Sequence, residues 1–451
     1  MVVVTDARDR EILRLAVPAF LALVAEPLFL LADAAIVGHL GTAPLAGLGI
    51  AAVVLQTVVG LCIFLAYGTT AGVARHLGAG DLRGALTQGV DGLWLAVGIG
   101  LVVTVLGVLL TGPLVHVFGA SAEVTDPAAT YLRIAFLGTT PLLLMLAATG
   151  VLRGLQDTRS PLVVAVGGNA LNVALNLLLV YPAGLGLAGS ALGSVLAQVA
   201  SAAALLVVVA RAARAQGASL RPDLPGIRSA GRAGVPLVIR TLTLRAGFLL
   251  TTYAVTLGAT GPREQEVDLA THQLALTLWG FLAFALDAIA IAAQALTGRA
   301  LGAGDVVAVR ETTTRMIRWG ALSGVVTGLL LAAGSPFLGA LFTGDRDVRD
   351  LLVPVLLIAA VGQPVAGVVF VLDGVLIGAG DGRYLARAGL VTLLAYAPVA
   401  LLCAVVSAGL AVLWVAFTAV FMGARLVVLL HRARGDTWLV TGLVTGRRVA
   451  P

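Results

Sequence analysis

Apolar residues fill the chain in twelve successive runs, separated by short stretches rich in Gly, Pro, Asp and Arg. Each run is long enough to cross the hydrocarbon core of a bilayer as an α-helix, which takes about 20 residues. The pattern therefore predicts an all-α integral membrane protein with twelve transmembrane helices. We expect these helices at about residues 12–39, 48–76, 88–110, 127–152, 160–182, 187–211, 232–258, 270–299, 314–336, 350–378, 384–406 and 410–431.

Two carboxylates interrupt the first apolar run. Glu26 and Asp33 are seven residues apart, which is nearly two helical turns, so both lie on one face of the predicted helix. A carboxylate at this depth costs about 2.5 to 3.5 kcal/mol on insertion scales, and a sequence keeps one only where it faces a cavity or a partner. The pattern indicates that this face of the first helix lines a water-accessible pocket.

Two motifs each occur twice at the same spacing. LGAGD ends at Asp81 and again at Asp305, and VLRGLQDTR, from Val151, corresponds to VLIGAGDGR, from Val375. The spacing indicates two six-helix halves that are parallel repeats, an arrangement that suits rocking around a central cleft. We expect an N-terminal lobe at residues 1–211, a linker at 212–231 and a C-terminal lobe at 232–451. LGAGD lacks the strand and Lys of a phosphate-binding loop, which favours a tight turn.

Composition excludes a soluble protein, since the 451 residues are 59% hydrophobic and 12% charged, with a mean hydropathy of +1.03. All 29 basic residues are Arg, and the outer loops hold three of them, Arg263, Arg346 and Arg349. By the positive-inside rule, both termini and the linker are cytoplasmic, and we expect an inner (plasma) membrane location. The Arg residues are scattered, which gives no nucleic-acid surface. Cys62 and Cys403 lie in different halves, which predicts neither a disulfide nor a metal site.

Four segments resemble the multidrug and toxic compound extrusion (MATE) transporters, specifically their DinF branch. They are LLADAAIVGHLG in the first helix, GVLRGLQDTRSP after the fourth, ALNVALNLLLVY in the fifth and LWGFLAFALDAIAIAAQALTGRALGAGD in the eighth. The resemblance implies two lobes around a V-shaped cleft and a transporter rather than an enzyme, without a cofactor. It also implies export of amphipathic, often cationic, small organic compounds in exchange for protons or sodium ions. We expect a monomer in the lipid bilayer.

The resemblance also suggests a cation site. Asp33 falls on the family's first-helix aspartate, which is associated with cation coupling, Asn172 on the fifth-helix asparagine and Ser194 on a sixth-helix hydroxyl position that is usually Thr. Asn176 departs from the family, because many members have an aspartate there. The seventh helix, with IRTLTLRAG, also lacks the acid of sodium-coupled NorM-type members. Both departures favour protons over sodium ions as the coupling ion.

Depth estimates from the helix ends place Asp33, Asn172, Asn176 and Ser194 together in the outer half of the N-terminal lobe. We therefore expect a cation or proton site there, with a hydrogen-bonded packing cluster as the alternative. Arg133 lies at nearly the depth of Asp33 and is a rival partner, since a salt bridge would argue against a proton role. Glu26, seven residues deeper, is a candidate second site for a proton or a substrate cation.

In the C-terminal lobe, Arg240 and Arg245 of the seventh helix match the depth of Asp287 in the eighth helix. We expect a structural ion pair between these helices, and we expect Asp373, near the cytoplasmic end of the tenth helix, only to meet the interface. Two other functions stay open: a lipid-linked precursor flippase of the same superfamily and an integral-membrane lipid-modifying enzyme. The flippase would need a strongly basic cavity, and the enzyme would need clustered acids or His residues at a membrane face.

Overall fold

The computed structural model of the protein describes residues 7–443 and is helical throughout its regular elements in that range. The first half contains α1 (Ala7–Gly38), α2 (Thr42–Cys62), α3 (Phe64–Gly78), α4 (Leu82–His116), α5 (Ala122–Leu137), α6 (Thr139–Gly154), α7 (Arg159–Val180) and α8 (Gly186–Ala215). The second half contains α9 (Leu224–Gly258), α10 (Pro262–Gly302), α11 (Val306–Phe342), α12 (Arg346–Gly378), α13 (Gly382–Val405), α14 (Leu410–Ala416), a π-helical segment (Phe417–Met422) and α15 (Gly423–Arg434).

Within the described residues, eleven stretches are long and apolar enough to cross a membrane. Two of these stretches combine neighbouring elements: α2 continues into α3, and α14 continues through the π-helical segment into α15. The pair α5 and α6 makes one further crossing, which bends by 48° where Gly138 separates the two helices. Pro141 follows in the first turn of α6, and proline is a common cause of such bends. Counting the bent pair as one crossing gives the predicted twelve.

The turn formed by LGAGD has the same structure at both of its positions. Gly80 and Gly304 adopt φ of 76° and 75°, a left-handed conformation that ends the preceding helix and that glycine adopts without strain. The next residue then caps the following helix, because Asp81 accepts a 2.8 Å bond from the backbone N–H of Gly84 and Asp305 a 2.9 Å bond from that of Ala308. These caps let α4 and α11 begin in polar sequence, earlier than the apolar pattern predicts.

The structure divides into two compact units. The N-terminal unit is Val17–Gly234, and the C-terminal unit contains the described residues up to Ala16 together with those from Val235 onward. The chain therefore passes from one unit to the other inside α1 and inside α9, each time just before a proline, Pro18 or Pro236. This division differs from the expected boundary by assigning the start of α1 to the C-terminal unit.

The expected linker belongs to the N-terminal unit. α8 extends to Ala215 and α9 begins at Leu224, so that only the segment between them is non-helical. The indole N–H of Trp94 in α4 donates a 3.0 Å hydrogen bond to the carbonyl of Leu220 in this segment. The connection between the halves is therefore shorter than predicted and is fixed to α4.

Close helix contacts in the C-terminal unit depend on glycine. α12 packs mainly on α11 and α10. A Cβ atom at Gly324 of α11 would lie 2.3 Å from the carbonyl oxygen of Gln363 in α12, and one at Gly374 would lie 2.3 Å from that of Ala290 in α10. Small residues allow helix backbones to approach in this way inside a membrane, where van der Waals contact drives helix association.

Candidate functional site

Asp33 is the centre of a buried polar cluster in the N-terminal unit. Its side chain, 3% exposed, accepts hydrogen bonds from three neutral groups on three other helices. The Asn176 amide of α7 donates to Oδ1 at 2.8 Å, the Ser190 hydroxyl of α8 donates to Oδ1 at 2.5 Å, and the Tyr131 hydroxyl of α5 donates to Oδ2 at 3.4 Å. The carboxylate is therefore satisfied by hydrogen bonds rather than by a counter-charge.

A second hydrogen-bonded pair lies between the same two helices, α7 and α8. The amide of Asn172 donates a 3.0 Å bond to the hydroxyl of Ser194. Each asparagine side chain has one unused acceptor, because Oδ1 of Asn172 and Oδ1 of Asn176 are buried without a hydrogen-bond partner in the described chain. An open buried acceptor is uncommon and indicates a place where a further donor can bind.

Small residues on one face of α8 make this arrangement possible. A Cβ atom at Gly193 would lie 2.1 Å from Oδ1 of Asn176, and one at Gly189 would lie 2.6 Å from the carbonyl oxygen of Leu179. α7 can therefore approach α8 closely enough for its amides to reach the hydroxyls of Ser190 and Ser194. Because these glycines and serines recur at helical spacing, they form one stripe of α8.

The structure brings two of the predicted residues into the Asp33 cluster and adds two that sequence reasoning missed. Asp33 and Asn176 are bonded directly, and Asn172 is bonded to Ser194 rather than to Asp33. The missed residues are Ser190 and Tyr131. Ser190 precedes Ser194 by four positions, so the same-face rule for helices could have found it. Tyr131 gave no such signal, since an aromatic residue in an apolar helix is usually core.

Arg133, the rival partner of Asp33, lies elsewhere. Its side chain is exposed, whereas Tyr131, two positions earlier in α5, is buried against Asp33. Residues two apart on a helix point in different directions, which is why equal depth did not lead to contact. Within the described chain, Asp33 thus has neutral partners and no ion pair with Arg133.

Glu26 differs from Asp33 in its surroundings. Its side chain is exposed, and the part of the chain that the structure describes provides it with no hydrogen-bond or ion-pair partner. The residue before it is held in place, because the amide of Asn169 in α7 donates a 2.9 Å bond to the carbonyl of Ala25. Pro27 follows directly inside α1 and removes one backbone donor at this level of the helix.

In the C-terminal unit, the expected role of Asp373 is wrong. Asp373 is 5% exposed and forms ion pairs with Arg240 of α9 and with Arg425 of α15, the latter at 2.5 Å. Depth estimates placed Asp373 at the interface because they measure height along a helix and not the direction in which a side chain points. Asp373 is therefore an acid that the structure shows paired with Arg240.

The remaining members of the expected ion pair differ in exposure. Asp287 of α10 is half-buried, and Arg245 of α9 is exposed. An ion pair that includes Arg245 or Asp287 stays a prediction. What the structure describes for this unit is an Arg240, Asp373 and Arg425 triad that links α9, α12 and α15.

Comparison with known proteins identifies the family. A family model described as MatE matches the chain twice, at residues 18–178 and at residues 241–402. The chain belongs to the MatE family. One match lies within each of the two predicted halves. MatE proteins are multidrug efflux transporters of membranes, not enzymes, and need no cofactor, so that the predicted family and transport class are confirmed.

Three similar proteins illustrate the match. "Protein DETOXIFICATION 44, chloroplastic" of Arabidopsis thaliana is 32% identical over 432 residues, which cover 92% of this chain and 80% of that protein. "DNA damage-inducible protein F" (DinF) of Escherichia coli (strain K12) is 29% identical over 377 residues, covering 82% of this chain and 81% of that one. A solved MOP superfamily transporter from Pyrococcus furiosus has the same fold, with a TM-score of 0.84, 21% identity, and coverage of 95% and 96%.

Proposed function

We propose that this MatE protein is a proton-coupled antiporter that exports amphipathic organic cations, with Asp33 as the proton carrier. The observation that carries the proposal is the set of partners around Asp33: three neutral donors, on α5, α7 and α8, and no basic side chain among the residues that the structure describes. An arginine or lysine partner would hold the carboxylate permanently ionised. Neutral donors leave both protonation states of Asp33 accessible.

The same cluster supports the protonated state. A neutral carboxyl group has an O–H that needs an acceptor, and a buried donor without one is costly. Asn176, which donates its amide to Asp33, also carries the open acceptor Oδ1, and the hydroxyls of Ser190 and Tyr131 can rotate to accept. Small rotations within one hydrogen-bonded set can therefore satisfy Asp33 before and after it takes up a proton.

Sodium coupling fits this cluster less well. A hard cation such as sodium binds through several oxygen ligands, and carboxylates are the strongest of these. Here the two carboxylate oxygens already accept three hydrogen bonds, and the position that is an aspartate in many family members is the neutral Asn176. One acid with neutral neighbours supports a proton as the coupling ion.

A cationic substrate is supported by Glu26. Its exposed carboxylate is free to attract a positively charged group, and it lies on the same helix as Asp33. The arginine distribution supports an orientation in which both termini and the segment around Ser219 are cytoplasmic, in the plasma membrane, and substrate is moved outward. Proton uptake at Asp33 would then exchange for a cation held near Glu26.

The test is transport by the purified protein in proteoliposomes without sodium. An imposed pH gradient should drive accumulation of ethidium, an amphipathic cation, and Asp33→Asn should abolish it, because an amide cannot release a proton. Glu26→Gln should reduce flux of ethidium more than flux of a neutral dye. Folded protein is measured for each variant by size-exclusion chromatography and thermal melting.

A matched control is Ser194→Ala, which changes a buried polar group on α8 that bonds to Asn172 and not to Asp33. It should keep most of the proton-driven flux. Full flux in Asp33→Asn, or flux that requires sodium and ignores pH, would overturn the proposal. Absence of cation transport with turnover of a lipid-linked sugar would instead favour the flippase.

A further inference from the structure

Another buried acid, apart from the Asp373 triad, lies in the C-terminal unit, far along the chain from Asp33. Asp268, in the second turn of α10, is 8% exposed. Within the described residues, its carboxylate has no hydrogen-bond or ion-pair partner. An isolated buried carboxylate is strongly disfavoured in its charged form and is most stable with a proton bound.

Asp268 borders a small, half-open pocket between four helices. The cavity has a volume of about 10 Å³ and is lined by Asp268 and by apolar or small residues, among them Ala254 and Val255 of α9, Cys403 of α13 and Leu410 and Leu413 of α14. A space of this size holds about one water molecule. It is far too small for an organic substrate, so a proton, carried by that water, is the ligand that fits.

One helical turn deeper on α10 lies a buried histidine. His272 is 1% exposed, and its Nε2 is 3.0 Å from the hydroxyl of Thr252 in α9. Its Nδ1 has no hydrogen-bond partner, and neither has the indole N–H of Trp414, whose ring lies 5.8 Å from the imidazole in an edge-to-face arrangement. Residues four apart on a helix are neighbours, so Asp268 and His272 share one face of α10.

No basic side chain faces this pair within the described chain. On α10, the nearest charged group is Glu264, which is exposed and bonded to Thr260. Among the titratable groups of α13, Cys403 lies at the cavity, and the hydroxyl of Tyr396 bonds to Thr251 of α9. Arg263, on the same helix as Asp268, is bonded to Asp345 and Asp347, and the residues that line the cavity include no arginine.

We infer that Asp268 and His272 form a second proton-binding site, in the C-terminal unit, which adds one proton to the cycle proposed for Asp33. The carboxylate of Asp268 takes up a proton from water at the pocket and forms an O–H bond. The imidazole of His272, with its open Nδ1, is the second group of the site that can bind a proton, and neither event transfers electrons. The inference rests on the proposed function only for its role in transport, since proton binding can be measured separately.

Infrared spectroscopy of the protein in lipid nanodiscs tests binding directly. The wild type should show carbonyl-stretch bands of buried protonated carboxyl groups that shift on exchange into deuterium oxide. Asp268→Asn should remove one such band, and the control Glu264→Gln should remove none, because Glu264 is exposed one turn outward. A spectrum unchanged by Asp268→Asn at every pH examined would overturn the inference.

Fluorescence reports on His272, since imidazolium quenches a neighbouring indole. A variant that retains Trp414 as its only tryptophan should lose emission on acidification, and additional His272→Gln should abolish that response. Identical pH responses with and without His272 would contradict a protonatable His272. The two methods together also show whether either substitution simply unfolds the protein.

Transport then distinguishes this site from Asp33. With protons bound at both sites, exchange against a monovalent cation moves net charge, so membrane potential alone should drive wild-type flux. Asp268→Asn should retain pH-driven flux, lower the stoichiometry from about two protons per cation to about one, and lose the response to potential. If the wild type and Asp268→Asn responded equally to membrane potential, the second site would be overturned. If the wild type showed no pH-driven flux, the proposed function would be overturned, but the infrared test of proton binding would still hold.

Discussion

The indole N–H of Trp319 in α11 donates a 2.9 Å hydrogen bond to Oδ1 of Asp9, in the first turn of α1. Arg315, one turn earlier in α11, donates to the other oxygen of Asp9 at 3.3 Å. Two further ion pairs, Arg8 with Glu311 and Glu11 with Arg299, hold the same turn of α1 in the C-terminal unit. The helix that carries Asp33 in one unit thus begins in the other.

Replacing Asp9 should loosen this attachment. Asp9→Ala removes the acceptor of both Trp319 and Arg315. Loss of a hydrogen-bond partner in a largely buried setting costs about 1–3 kcal/mol. Most of this cost should come from Trp319, because the Arg315 pair is partly exposed and contributes little. We expect a lower melting temperature of the purified protein. Arg10→Ala, at an exposed neighbouring position, is the control and should melt like the wild type. Equal melting of both variants would contradict this account of the α1 attachment.

Ser190 and Ser194 should differ in their effect on transport. Ser190→Ala removes a 2.5 Å bond to ionised Asp33, and a hydrogen bond to a charged group contributes about 1.5–3 kcal/mol. We expect pH-driven flux to fall about tenfold or more, with normal folding. Ser194→Ala removes the bond to Asn172 and none of the direct bonds to Asp33, so it should cost much less. The comparison is made by initial rates in proteoliposomes, and a larger effect of Ser194→Ala would show that the cluster is wrongly assigned.

Asp373 should matter more for stability than Asp287. Asp373→Asn leaves the guanidinium groups of Arg240 and Arg425 without their shared carboxylate, and breaking a buried ion pair by removing one partner costs about 3–5 kcal/mol. We expect a large loss of folded protein after extraction in detergent. Asp287→Asn, at a half-buried position, is the comparison and should retain more folded protein. A greater loss of folded protein for Asp287→Asn than for Asp373→Asn would instead support the ion pair expected from the sequence.

The acid stability of the C-terminal unit should depend on Arg263. Hydrogen bonding to the guanidinium of Arg263 lowers the pKa of Asp345, in the loop before α12, below its ordinary value of 3.8. A carboxylate with a lowered pKa in the folded state stabilises the protein above that ordinary value, and this contribution is lost as pH falls through the lower, folded-state pKa. The wild type should therefore lose melting temperature in this acidic range.

Arg263→Ala should flatten that part of the profile of melting temperature against pH, since the variant has less stabilisation to lose. Asp350→Asn, an exposed acid in α12 outside this contact, should leave the slope unchanged. If Arg263→Ala kept the wild-type slope of melting temperature against pH, Arg263 would not be the cause of the loss of stability in acid. The effect should be small, because Arg263 is more than half exposed and solvent screens its pairs.

The sequence by itself determined the number of membrane crossings, the internal repeat and the acid at the centre of the candidate site. Apolar run length and the cost of an intramembrane carboxylate are local properties, so that Asp33 is conspicuous without any knowledge of its neighbours. The family resemblance pointed to Asn176, and height counted from the helix ends placed it at the level of Asp33.

Only the tertiary structure decided which groups meet at a given height. Rotation of each helix about its axis turned Tyr131 toward Asp33 and left Arg133 exposed, and it joined Arg240 to Asp373 and Arg425. Packing also assigned the start of α1 to the C-terminal unit and formed the cavity beside Asp268, for which no motif exists. Sequence periodicity fixes the faces of a single helix, whereas the contacts between helices depend on how those faces pack against one another.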